Sequence, residues 1–248
     1  MEPSFRPVMI SDSKAPPQAQ GRTFEHYEER SVATEPNRVL RNTYWLLALS
    51  MVPTVLGAFV GSALNFVALF QAAPVMTPLL MFGVMLGSLF VVTALRNSAW
   101  GVVALLVFTF IAGLMLTPIL TVAAGFRNGG QLVALAGGMT AAIFFGMATI
   151  ATVSKRDFSF LGKFLFVGMI LLVVASLANL FFAVPAVSLA ISAIAVLIFS
   201  LYLLFDVSNI VRGGETNYIT ATLNVYLSLY NIFISLLNLL LAFSGQRD

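Results

Sequence analysis

Runs of apolar positions about twenty residues long fill the chain from residue 43 to residue 243, and only short breaks interrupt them. A helix that crosses a bilayer needs roughly 20 mostly apolar residues. Runs of that length lie near 43–66, 75–95, 100–122, 131–153, 163–184, 187–206 and 219–243. The breaks fall at Gln71–Pro74, Arg96–Ser98, Gly125–Gly130, Ser154–Asp157 with Lys163 soon after, Val184–Pro185 and Arg212–Asn217. The pattern predicts an all-α polytopic membrane protein with seven transmembrane helices. Pro53 and Pro118 fall inside runs, where a missing N–H is expected to kink the helix. Gly57 and Gly61 are four apart, as are Gly83 and Gly87, and Gly137 adjoins Gly138. Small residues so placed let helix backbones approach in lipid, within one chain or between copies.

The last run has a second pattern inside the first. Asn224, Ser228, Asn231, Ser235 and Asn238 recur at spacings of four, three, four and three. That rhythm puts all five on one face of a helix. Asn217 and Thr220 extend the face toward its start. Amides turned toward lipid lack partners, so this face is expected to point inward and the helix to be surrounded by the other six. Two uses stay open for it: hydrogen-bond glue between helices, or a hydrated path along a central helix. Asp206 ends the sixth run, and Asn209 follows on the same face. A carboxylate within a membrane helix is a candidate functional site; an interfacial acid paired with Arg212 is the plainer alternative. Arg96 and Arg212 are the basic residues on that side. Asp206, Ser228, Asn209, Asn224, Asn231, Arg96 and Arg212 together form the candidate polar core and sensor.

Composition agrees with the runs: 59% of the 248 residues are hydrophobic and only 9% are charged, where a soluble domain is about a quarter charged. Twelve of the 23 charged residues lie within positions 1–41. The chain is therefore expected to divide into a flexible polar cytoplasmic tail, 1–40, and a seven-helix transmembrane domain, 41–248. The tail has no sustained periodicity and reads as disordered or weakly helical. About 40 polar residues precede the first apolar run, which is not the layout of a secretory signal. With the tail in the cytoplasm, inside segments hold eleven basic residues and outside segments only Arg127 and Arg247. This bias sets the expected orientation, with the N-terminus cytoplasmic and the C-terminus periplasmic.

The residue types also exclude chemistries. The chain has no cysteine and one histidine, His26, in the tail. A Ser–His hydrolase has no base in the membrane body, and a zinc protease has no ligands there. A di-aspartyl protease needs two acids in the bilayer, and Asp206 is the one candidate. No catalytic activity, cofactor, metal or nucleic-acid partner is expected.

The stretch LFDVSNIVRGGETNYITATLNVYLSLYNIFISLLNLL resembles the signature of the Bax inhibitor-one (TMBIM) family. SKRDFSFLG, Ser154 to Gly162, is similar to the loop before that family's fifth span, and GLMLTPIL, Gly113 to Leu120, to its third-span pattern. RVLRNTYWLL and the SNI…GGETNYI…YNIF wording are similar to the bacterial branch named YccA. The resemblance covers roughly residues 38–243. It implies a Bax inhibitor-one-like fold, six helices around a central C-terminal seventh. It implies one of two functions. The first is modulation, without catalysis, of FtsH, the membrane AAA protease of the bacterial inner membrane, in association with its HflK–HflC regulators. There the tail would offer a handle and a stable bundle would resist extraction. RTFEHYEER, Arg22 to Arg30, is the candidate gripped segment. The second is a pH-sensitive calcium or proton leak gated by two aspartates. The first of these matches Asp206; the second falls at Ser228, which cannot ionise. Arg96 lies near the family's second-span arginine.

Overall fold

The computed structural model describes the backbone of residues 17–154 and 156–245, with side chains from Arg38 onward. Lys155, Arg247 and the side chains of Arg22–Arg30, His26 among them, lie outside the described residues. The chain divides into two units, Met1–Glu35 and Pro36–Asp248.

Among the described residues eight helices follow one another: α1 (Pro17–Ala63), α2 (Val67–Ala72), α3 (Met76–Leu95), α4 (Trp100–Ala124), α5 (Gly129–Val153), α6 (Leu161–Phe182), α7 (Pro185–Val211) and α8 (Tyr218–Ser244). Seven of the described segments are long and apolar enough to cross a membrane: Arg38–Ala63 of α1 and the whole of α3 to α8. The seven apolar runs thus become seven helices, with two shifts. The first span starts at Arg38 and ends at Ala63, and the separate short helix α2 follows it, between the first and second runs. The sixth extends to Val211, so Asp206 lies within α7 rather than at its end.

Local chemistry explains the boundaries. Ala183 takes a left-handed conformation after α6 (φ 50), and Pro185 opens α7 at a position where its missing N–H costs nothing. Asn179 holds this tight turn by accepting from the Val184 N–H. Pro118 sits inside α4, which continues through it. Its missing N–H frees the Leu114 carbonyl, and the Thr117 hydroxyl takes that carbonyl at 2.7 Å.

α8 is the axis of the bundle. Half of its apolar window is buried, against 6–39% for the other six spans. It packs on α3, α4, α5 and α7, with α7 its most extensive partner. α1 reaches it through hydrogen bonds described below, and α6 packs outside α7. The outer faces carry large exposed apolar side chains such as Phe59, Phe90, Phe145 and Phe164, as a surface solvated by acyl chains requires.

α1 and α4 cross at backbone contact. A Cβ on Gly57 would lie 2.1 Å from the Phe110 carbonyl oxygen, and one on Gly113 would lie 2.0 Å from that of Thr54. The Gly57–Gly61 pair is therefore used within the chain. Among the described residues, a Cβ on Gly83, Gly87, Gly137 or Gly138 would meet nothing within 4 Å.

Candidate functional site

The turn between α7 and α8 is built by its own sequence, RGGETN. Gly213 has φ 76, the left-handed value that glycine adopts without strain. Its N–H bonds the Ile210 carbonyl, and that of Gly214 bonds Asn209 at 2.9 Å, the paired pattern that closes many helices. A Cβ on Gly214 would lie 2.0 Å from Asn209 Oδ1, so the second glycine makes room for the asparagine. Asn217 then caps α8 by accepting from the N–H groups of Ile219 and Thr220. Glu215 steadies the cap by accepting from the Asn217 N–H at 2.8 Å.

The same turn ties one end of the bundle together. Asn217 Nδ2 donates to the Arg96 carbonyl and to Asn97 Oδ1, both at 2.9 Å, in the α3–α4 turn. Arg212 donates to Ser208 Oγ at 3.3 Å and to the Arg156 carbonyl in the α5–α6 loop. In that loop Asp157 accepts from the Ser159 hydroxyl and N–H. These two bonds, the hydroxyl first, hold its carboxyl below the ordinary carboxylate range.

Within the membrane, Asp206 and Ser228 are both buried, at 8% and 3% exposure. Asn209 and Asn224 are half-buried. Among the described residues no hydrogen bond joins Asp206 to Ser228, Asn224 or Arg212. Arg96 and Arg212 stay exposed at the bundle end. Arg212 sits at the C-cap of α7, where the bonds above hold it outward. The alternative reading, Asp206 paired with Arg212, is not seen among the described residues.

The stripe on α8 does point inward. Asn231 donates to the Leu227 carbonyl of its own helix at 2.8 Å. Asn238 donates to Ser192 Oγ at 2.8 Å and Ser188 Oγ at 3.3 Å on α7. Asn231 and Ser235 line a 450 Å³ cavity between α3, α6, α7 and α8, with Ser176, Asn179, Ser188 and Ser192 on its other walls. The far half of the stripe thus combines glue and polar space.

Sequence reading missed the opposite face of α8. Tyr226 and Tyr230 stack one turn apart, with ring centroids 6.0 Å apart. The Thr54 hydroxyl donates to the Ser50 carbonyl and lies 2.8 Å from Tyr226 OH, so the tyrosine donates to it. Tyr230 OH donates to the Ala112 carbonyl at 3.0 Å. These two bonds fasten α1 and α4 to the axis. The signal was present as aromatic residues with a polar tip in a buried helix, but their partners lie far away in sequence.

Seven spans, the last of them polar-faced and the most buried, define the class, an all-α multi-pass membrane protein. The family model described as "Inhibitor of apoptosis-promoting Bax1" matches residues 36–245. The chain belongs to that family. It is similar to the "Modulator of FtsH protease YccA" of Escherichia coli, 38% identical over 214 residues, 86% of this chain and 93% of that one. It is also similar to an "Uncharacterized membrane protein" of Vibrio cholerae, 39% identical over 206 residues, 83% of this chain and 90% of that one. A Neisseria meningitidis protein is 38% identical over 226 residues, 89% of this chain and 97% of its own length.

Proposed function

We propose that the protein is a non-enzymatic modulator of the membrane AAA protease FtsH in the bacterial inner membrane, acting beside HflK–HflC. The observation that carries this reading is near full-length similarity to a protein named as that protease's modulator. Physical features agree with it. The segment ahead of the first span is the charged part of an otherwise apolar chain. On the orientation set by the basic residues, it faces the cytoplasm. With its helical part drawn out at roughly 3.3 Å per residue, its 37 residues would reach on the order of 120 Å. The bundle behind it is held by a central helix bonded to α1, α4 and α7. A protease pulling on the segment meets a body that resists extraction.

A pull-down from native membranes in mild detergent tests the reading, comparing the full-length protein with a version lacking residues 2–36. Co-purification of FtsH and HflK–HflC with the full-length protein is the expected result. The truncated version shows whether the segment or the bundle makes the contact. If neither version brings down the protease, the proposal fails. The second reading, a pH-sensitive calcium or proton leak, draws support from the buried Asp206 and the polar cavity. Ser228 weighs against it, because a coupled pair of acids needs two titrating groups.

A further inference from the structure

A second cavity lies on the other side of the axis. It is a cleft of about 720 Å³ between α1, α5 and α8, within the range of small-molecule sites. Its α1 wall runs from Leu40 through Tyr44 and Ala48 to Thr54, and its α5 wall from Thr152 back to Gly137. At 1.5 Å per residue each wall is roughly 21 Å long. One leaflet's acyl chains cross about 15 Å of hydrocarbon, so the cleft holds such a chain along its whole length. Twelve of its nineteen lining residues are Leu, Phe, Met, Ala or Gly, and the other seven are Thr and Tyr. Small residues keep it open: a Cβ on Gly137 would meet nothing within 4 Å.

The mouth is different. Arg38 and Arg41 are exposed at the start of the first span, one turn before Tyr44. Positions 41, 44 and 48 share a helix face, so Arg41 stands on the face that lines the cleft. Trp45 is 74% exposed beside it, an aromatic at the depth of a headgroup layer. An apolar trough as long as an acyl chain, with two cations at its interfacial end, complements an amphiphile with a negative head.

We propose that the α1–α5 cleft binds one acyl chain of an anionic phospholipid, with Arg38 and Arg41 holding its phosphate. The occupant fills the space against Tyr226 and Tyr230 and joins α1 to α5.

Native mass spectrometry of the full-length protein tests this. The protein is exchanged into detergent with equimolar dioleoyl-phosphatidylglycerol and dioleoyl-phosphatidylcholine, and retained lipids are counted. Wild type is expected to keep one phosphatidylglycerol, with a preference near 30-fold, from two basic side chains at about 1 kcal/mol each. R38Q/R41Q changes only exposed side chains and is expected to retain either lipid without preference. G137F and A48F fill the trough and are expected to retain at least tenfold less of both. Equal retention of the two lipids by wild type overturns the proposal. So does undiminished retention by both filled variants, or displacement of the lipid by excess inorganic phosphate. A co-purifying protein helix in place of lipid overturns it as well.

Discussion

Gly113→Ala adds one methyl group at the tightest crossing in the bundle, and its cost can be worked from the geometry. The new Cβ would lie 2.0 Å from the Thr54 carbonyl oxygen and 3.0 Å from the Thr54 Cα. Ordinary contact begins near 3.4 Å, so α1 and α4 must separate by more than an ångström. Both obstacles are backbone, which no rotamer change can move aside. Overpacking of this kind costs about 1–3 kcal/mol. Thr54 also carries the hydroxyl that takes the Tyr226 proton at 2.8 Å, and moving it strains a bond worth roughly 0.6–1.7 kcal/mol in a membrane bundle. The expected total is about 2–4 kcal/mol. Gly83→Ala is the control, because its Cβ meets nothing within 4 Å and alanine is the better helix former. Unfolding free energies in mixed micelles, read by steric trapping, compare the two. A Gly113→Ala protein within about 0.5 kcal/mol of Gly83→Ala would show that the α1–α4 crossing is not as close as described.

Three other outcomes follow from the turns and the buried acid. Asn217→Ala loses the α8 cap and the links to Arg96 and Asn97, and is expected to cost about 1–2 kcal/mol. Asn217→Asp keeps the cap acceptor and should recover part of that; thermal unfolding in dodecyl maltoside showing Asp as harmful as Ala would contradict the assignment. Asp157 is held below its ordinary value by Ser159. The turn it holds is therefore intact above the unfolded-state carboxylate range near pH 4 and is lost as pH falls through the lowered value. Asp157→Asn removes that acid-side dependence, measured as hydrogen exchange at Ser159 and Phe160; an unchanged profile refutes it. Asp206→Asn is expected to change thermal stability or protease co-purification more than calcium or proton flux in liposomes. A large pH-dependent flux lost in that variant would reverse this ranking.

The membrane architecture was legible because length and hydropathy decide whether a helix can span, and both are local properties. The centrality of α8 was legible for a related reason. Asparagines at helical spacing in an apolar run have only one affordable direction, and Asn238 meeting Ser188 and Ser192 shows where it leads. Asp206 was placed one turn too late, because a charged residue reads as the end of an apolar run. The stop belongs to Gly213, whose left-handed conformation depends on backbone rather than hydropathy. The Tyr226–Thr54 bond joins positions 172 residues apart. The α1–α5 cleft is a space between surfaces. Neither leaves a trace in any single stretch of sequence.

The axis of this bundle is also its last-made part. While the ribosome is still completing the chain, Thr54 and the Ala112 carbonyl wait in the bilayer without Tyr226 and Tyr230. The α3–α4 turn likewise waits for Asn217. A truncated or stalled chain is an open palisade that retains its apolar spans and lacks its polar fastening. Insertion of α8 is therefore the event that fastens α1, α4 and α7 to a common axis. Before it, the chain holds its apolar spans without the hydrogen bonds that fasten them to that axis.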